Sequence, residues 1–131
     1  MVFVLTNKKI DQFTRLGDVY FKGKPKKTTD KLLFFKGETY PQNFTEDELL
    51  KKFETNKVNI NEFKGEFFIV YYEQKKKNLL LLNDRFGRET LYYYLKDKQF
   101  ILSDDFWEIV NILKPAQEDI QVQALKEMAF F

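Results

Sequence analysis

The chain has 131 residues, enough for one domain, and its 15 Phe and 7 Tyr supply large apolar side chains for a single core. Its 22 basic and 20 acidic residues give a net charge of +2, which excludes strong global attraction to nucleic acid or to a membrane surface. The absence of Cys excludes disulfides, thiolate metal sites and a cysteine nucleophile, and the absence of His removes the commonest general base and metal ligand. Because no apolar run approaches the roughly 20 residues of a membrane span and the start does not match a signal peptide, we expect a soluble cytoplasmic protein.

The first half of the chain predicts three strands and one helix. The strands are indicated by apolar runs at residues 2–5, 18–21 and 32–35. Lys36-Gly37 is expected to end the third strand. Thr45 and Glu48 have the spacing of a capping box, which predicts a helix that runs to about residue 53. A short helical turn is expected at 59–63.

The second half predicts an antiparallel meander followed by two helices. The strands are indicated at residues 66–73, 78–83, 90–96 and 99–103. Residues 67–72 and 79–82 are apolar on both faces, so both faces of these strands are expected to be covered. Asp104 or Asp105 can cap a helix that runs to about residue 113, and a last helix is expected from about residue 119 to the end. Strands in succession with a few helices are typical of the α+β class.

Five motifs, in this order along the chain, resemble the glutamine amidotransferase type 2 domain of the asparagine synthetase family. They are the strand 33–40, the strand 63–72, the hairpin Asp84-Arg85-Phe86-Gly87 with Leu91-Tyr92-Tyr93 after it, the strand 100–104 and the segment 122–131. The resemblance implies a single degenerate domain over residues 1–131. It also implies the αββα sandwich of N-terminal-nucleophile hydrolases, in which helices flank antiparallel sheets, here shortened in the N-terminal third.

In that family a cysteine exposed by removal of the initiator Met releases ammonia from glutamine. The resemblance puts Val2 at the nucleophile position, Lys36 at that of an oxyanion-hole asparagine, and Lys64 at that of an aspartate that holds the substrate ammonium. The former glutamine pocket is thus expected to contain Lys36, Gly37, Lys64 and Gly65, with no catalytic residue, metal or cofactor. Structural roles are expected for Asp84, Arg85 and Gly87 of the hairpin, with a positive φ at Gly87.

These substitutions favour a domain without glutaminase activity that serves as a structural or docking partner of an ATP-dependent amide-forming synthetase domain or chain. Two alternatives stay open: a binding module for a small anion held by Lys36 and Lys64, and an altered amidohydrolase. The lysines of the 22–27 turn are more typical of a solvated loop than of a nucleic-acid site, and no membrane contact is expected. The C-terminal apolar residues predict contact with the synthetase or with a second copy of the chain, through Ile120, Leu125, Met128, Phe130 and Phe131.

Overall fold

The structure of the protein, a computed structural model, describes residues 2–55, 57–59, 63–84, 89–113, 123–125 and 129–130, the last two segments by their backbone. Eleven strands and two helices lie within these residues. In chain order they are β1 (Val4–Thr6), β2 (Thr14–Leu16), β3 (Val19–Lys22), β4 (Lys26–Lys27), β5 (Lys31–Tyr40), α1 (Glu46–Glu54), β6 (Lys64–Glu73), β7 (Asn78–Asn83), β8 (Leu91–Lys96), β9 (Gln99–Ser103), α2 (Phe106–Leu113), β10 (Gln123–Leu125) and β11 (Ala129–Phe130).

The chain divides into two compact units, each with one sheet and one helix. The first unit comprises residues 1–24 and 90–125, and its antiparallel sheet has the strand order β10-β8-β9-β1-β3-β2, with α2 against β8 and β9. The second unit comprises residues 25–89 and 126–131, and its antiparallel sheet has the order β11-β7-β6-β5-β4, with α1 against β4 and β5. Two antiparallel sheets, each with a helix packed against it, confirm the predicted α+β class of antiparallel sheets flanked by helices. Among the residues described, neither helix is both long and apolar enough to cross a membrane.

The core of the second unit lies between α1 and one face of its sheet. Phe67, Ile69 and Tyr71 point from β6 into this cluster and meet Leu49 and Phe53 of α1. The rings of Phe53 and Tyr71 stack with their centroids 5.0 Å apart. Burial in this apolar cluster raises the pKa of the Tyr71 hydroxyl well above its ordinary value, because the phenolate would lose its hydration there.

Both faces of β6 are buried, as the continuous apolar run predicts. Phe67, Ile69 and Tyr71 belong to the α1 side, and the alternating residues Phe68 and Val70 point the other way yet are completely buried. A strand with only one covered face would alternate between apolar and polar residues. The doubly buried strand therefore explains why this run contains no charged residue between Glu66 and Glu73.

In the first unit, α2 packs on the sheet through Ile109 and Leu113, which form a buried cluster with Val4 and Ile101. The carboxylate of Asp105 accepts a hydrogen bond from the backbone N–H of Trp107 at 2.9 Å and caps the first turn of α2. The structure describes α2 as far as Leu113, and Pro115 lies outside the described residues.

Two predicted boundaries are wrong. Strand β5 does not end at Lys36-Gly37 but continues to Tyr40, because all ten of its residues pair with β6. The last helix, expected from about residue 119, is replaced where the backbone is described by β10 and β11. The short strands β2 and β4 were not expected from the sequence, and most of the helical turn expected at 59–63 lies outside the described residues.

The strands at the C-terminus form because two sheets each offer an edge. Gln123–Leu125 pairs antiparallel with β8, and Ala129–Phe130 pairs antiparallel with β7. An edge strand has backbone N–H and C=O groups without strand partners, and a strand from the same chain supplies those partners. Helical periodicity in the sequence could not reveal this, since the hydrogen bonds go to distant segments. Ile120, Met128 and Phe131 lie outside the described residues.

The capping box that the sequence predicts is confirmed at the start of α1. The Thr45 hydroxyl accepts a hydrogen bond from the Glu48 N–H at 3.2 Å, and the Glu48 carboxylate accepts one from the Thr45 N–H at 3.1 Å. This backbone hydrogen bond lowers the pKa of Glu48, because it stabilises the charged carboxylate. Both orphan donors at the helix start are thereby satisfied.

Replacement of the cap, Thr45→Ala, is expected to lower the free energy of unfolding by about 0.5–2 kcal/mol, the usual range for a lost N-cap. Thr45→Ser is the matched control, because serine keeps the hydroxyl that accepts from Glu48. Urea unfolding monitored by circular dichroism measures both variants. Equal midpoints for the alanine variant and the wild type would contradict a stabilising role of this cap.

Candidate functional site

The pairing of β5 with β6 depends on two glycines that bring the strands unusually close. Gly37 has φ of 111° and Gly65 has φ of 131°, a region that side chains rarely allow. A β-carbon at Gly37 would lie 1.9 Å from the carbonyl oxygen of Glu66, and one at Gly65 would lie 2.2 Å from that of Glu38. Each glycine therefore lies against the residue that follows the other glycine, and the two glycines flank the Glu38–Glu66 pair.

The two lysines of the predicted pocket do not lie beside each other in this sheet. Lys36 pairs with Phe68, whereas Lys64 pairs with Tyr40 at the far end of the ladder. They are four positions apart along the strands, which corresponds to roughly 13 Å of backbone. Successive residues of a strand point to opposite faces of the sheet, and Phe67 points toward α1. Lys36 and Lys64 alternate with the residues on that side, so both lie on the face opposite α1.

A carboxylate that the sequence did not single out lies beside Lys36. The Lys36 ammonium is 3.5 Å from the Glu89 carboxylate, and their side chains are 42% and 28% exposed. Alternation also puts Glu38 and Glu66 on the face that carries Lys36 and Lys64. This end of the sheet therefore combines two ammonium groups with three carboxylates. No local signal could have identified Glu89, because its relation to Lys36 arises from the fold.

Asp84, at the end of β7, forms hydrogen bonds with Phe67 of β6 and with Glu89. It is 3% exposed, its N–H donates to the Phe67 carbonyl at 2.9 Å, and its carboxylate accepts from the Phe67 N–H at 3.2 Å. The same carboxylate oxygen lies 3.4 Å from the N–H of Glu89, and the Asn83 side-chain amide donates to the Glu89 carbonyl at 2.9 Å. These bonds hold Glu89 where its side chain can reach Lys36. Arg85 and Gly87, including the positive φ expected at Gly87, lie outside the described residues.

The N-terminal segment is anchored one residue after the predicted nucleophile position. Phe3 is completely buried; its N–H donates to the Asp104 carboxylate at 2.8 Å and its carbonyl accepts from the Ser103 hydroxyl at 2.6 Å. Asp104, expected as a possible helix cap, holds this backbone instead. Val2 is 43% exposed and carries only an aliphatic side chain. The backbone of this segment is thus fixed, but the side chain at position 2 offers no nucleophile.

The chain thus combines two antiparallel sheets with a β5–β6 ladder that depends on two glycines. The sequence profile of the glutamine amidotransferase domain matches residues 25–108. Since this match covers more than half of the chain, the protein belongs to the glutamine amidotransferase domain family. No curated protein matches the chain. The matched residues include β5, β6 and the Asp84 hairpin, whereas Val2 and Phe3 precede them.

Substitution of the first ladder glycine, Gly37→Ala, is expected to destabilise the protein by at least about 1 kcal/mol, because the added carbon meets backbone of β6 at an unfavourable φ. Glu38→Ala, at the exposed neighbour, is the control and should change stability by no more than about 0.5 kcal/mol. Chemical denaturation of the three proteins measures the difference. Equal stabilities of the Gly37→Ala and Glu38→Ala variants would contradict the close approach of β5 and β6.

Proposed function

We propose that this protein is an amidotransferase-like domain without glutaminase activity, which serves as a structural or docking partner of an ATP-dependent amide-forming synthetase domain or chain. The proposal rests on family membership together with the residues at the positions that the resemblance assigns to catalysis. A synthetase of this kind uses ATP, and we propose that the protein works with it in the cytoplasm.

The observation that carries the proposal is the ion pair of Lys36 with Glu89. Amide hydrolysis through a tetrahedral intermediate needs fixed donors directed at the developing oxyanion. The position that the resemblance assigns to a neutral asparagine donor holds an ammonium on a flexible chain, and its charge is engaged by a carboxylate 3.5 Å away. A carboxylate at that distance also opposes a second negative charge developing nearby.

The nucleophile and the substrate anchor are changed as well. Val2 has no atom that could attack a carbonyl carbon, so no covalent intermediate can form at that position. Lys64, at the position of the substrate-binding aspartate, is exposed and would repel the ammonium group of glutamine. We therefore expect Val2 to prevent nucleophilic attack, Lys36 to weaken oxyanion stabilisation and Lys64 to weaken glutamine binding.

The two alternatives find less support in the geometry. A small anion shared by Lys36 and Lys64 would have to span side chains whose backbones are roughly 13 Å apart, and Glu38, Glu66 and Glu89 offset their charge. An altered amidohydrolase with Thr6 as the nucleophile is disfavoured, because Thr6 is completely buried and its hydroxyl donates to the Phe100 carbonyl at 2.7 Å. A hydroxyl held in a strand this way is not presented to a substrate.

We propose that the partner contact includes the C-terminal segment 120–131, through a synthetase domain or chain or through a second copy of the protein. This short segment contains several large apolar side chains. Burial of each one in a contact would stabilise that contact by roughly 1.5–3 kcal/mol. In place of the helix face first expected, the backbone here forms edge strands β10 and β11. An edge strand can pair with a strand of a partner through its backbone N–H and C=O groups, and the partner can also bury the apolar side chains. Both effects favour association.

Purified protein is expected to release no ammonia from glutamine above a buffer blank. Val2→Cys, processed to expose the cysteine, is expected to stay inactive, because Lys36 and Lys64 still occupy the oxyanion and substrate-anchor positions. Ammonia is measured with a coupled glutamate dehydrogenase assay. Turnover by the unaltered protein that persists through purification would contradict the proposal as a whole, whereas turnover by Val2→Cys alone would contradict the roles assigned to the two lysines.

Association is expected to depend on the C-terminal apolar residues. Phe131→Asp places a charge within this apolar segment, so it is expected to lower the mass measured by light scattering from that of a dimer, or to abolish capture of a synthetase partner. Lys98→Asp, in the turn after β8, is the control for surface charge. A monomeric wild-type protein that captures no partner would contradict the proposed contact.

A further inference from the structure

A cleft with a volume of about 350 Å³ runs along the exposed side of α1, within the size range of small-ligand sites. One end is lined by Gln42 and Glu48 near the start of the helix, and the other by the end of the helix and residue Lys57. The helix covers the face of the sheet opposite that of Lys36 and Lys64. The cleft is therefore separate from the position of the family's glutamine pocket.

Three lysines give the end of this cleft a positive charge. Lys51 and Lys52 lie in the last turn of α1 and Lys57 follows shortly after it. Within the described part of the chain, neither Lys51 nor Lys57 forms an ion pair. The Lys52 ammonium lies over the Phe44 ring, 4.9 Å from its centroid, which places a cation beside an aromatic surface that also lines the cleft.

The acidic side chain that lines the cleft, Glu48, lies at the end away from Lys51 and Lys57. The Glu48 carboxylate accepts hydrogen bonds from the Thr45 N–H and from the Gln42 amide, at the far end of the cleft. At the helix end, the carbonyl of Lys51 accepts from the Thr55 N–H at 3.1 Å and that of Lys52 accepts from the Lys57 N–H at 3.0 Å. Two carbonyls at the helix end are thus engaged by N–H donors, which reduces their repulsion of an anion beside these lysines.

We propose that this cleft binds a phosphate ester of a small aromatic molecule, with the phosphate beside Lys51, Lys52 and Lys57 and the aromatic group along the Phe44 side of the cleft. A dianionic phosphate can accept charge-assisted hydrogen bonds from several ammonium groups at once, which a single carboxylate does less well. The cleft is larger than inorganic phosphate requires and Phe44 contributes to its lining, which favours an attached ring over free inorganic phosphate.

The probe is phenyl phosphate, titrated at low salt into ¹⁵N-labelled protein while the amide resonances of residues 51–57 are followed by NMR. Saturable shifts confined to these residues are expected, with a dissociation constant that rises about tenfold in Lys52→Met, the change that loss of one charge-assisted hydrogen bond brings. Lys51→Met is a second variant, and methionine preserves helix propensity in both. Lys76→Met is the matched control: it removes the same charge from the exposed turn between β6 and β7, away from the cleft, and should leave the affinity unchanged.

Equal affinities for phenyl phosphate and inorganic phosphate would overturn the proposed ligand class. A loss of affinity in Lys76→Met as large as that in Lys52→Met would overturn the location, and so would unsaturable shifts spread over the chain. The outcome is independent of the proposed function, because the glutaminase assay and the association measurement do not involve this cleft.

Discussion

The close approach of β5 and β6 is the constraint on which the second unit depends. Ten consecutive residue pairs join the two strands, and the ladder passes two places where a β-carbon would collide with backbone. Glycine at positions 37 and 65 removes those carbons and accepts the positive φ, so the ladder continues beyond Phe35 instead of stopping there. The extension carries Lys36 and Lys64 on the same sheet face, and it gives α1 a long surface on which to pack.

Asp84 connects the β5–β6 ladder to the charged residue Glu89. Its side-chain carboxylate accepts from the Phe67 N–H just beyond the last β6–β7 pair, where a backbone carbonyl would otherwise be needed, and the same oxygen holds the N–H of Glu89. The position of Glu89 is therefore determined by the end of the sheet, and its ion pair with Lys36 follows from backbone geometry. Lys36 stands where the resemblance assigns a neutral asparagine, and the family architecture accommodates its ion pair with Glu89.

The N-terminal segment is also fixed through its backbone. Ser103 and Asp104 bind the carbonyl and the N–H of Phe3, so β1 begins from a fixed backbone position. Both hydrogen bonds act on the backbone of Phe3 and involve no atom of the Val2 side chain. The anchoring bonds contribute to folding whether or not chemistry takes place.

The sequence alone determined the features whose interactions are local. The Thr45–Glu48 capping box spans three residues, and the strands Asn78–Asn83 and Gln99–Ser103 are bounded by turns that can be read directly, so each was predicted correctly. The doubly covered run in β6 was predictable because burial on both faces excludes charge from the sequence itself. Family membership, too, followed from short motifs whose residues stand in order along the chain.

Only the tertiary structure decided the features that depend on partners far away in the chain. Whether the C-terminal residues form helix or strand is determined by the free edges of β8 and β7, and the end of β5 is determined by its pairing with β6. Asp104 reaches a backbone N–H 101 residues away, and Lys36 meets Glu89 because the fold brings them together. Hydrogen bonds and ion pairs of this kind depend on distance in space, and the spacing of residues along a single chain does not encode that distance.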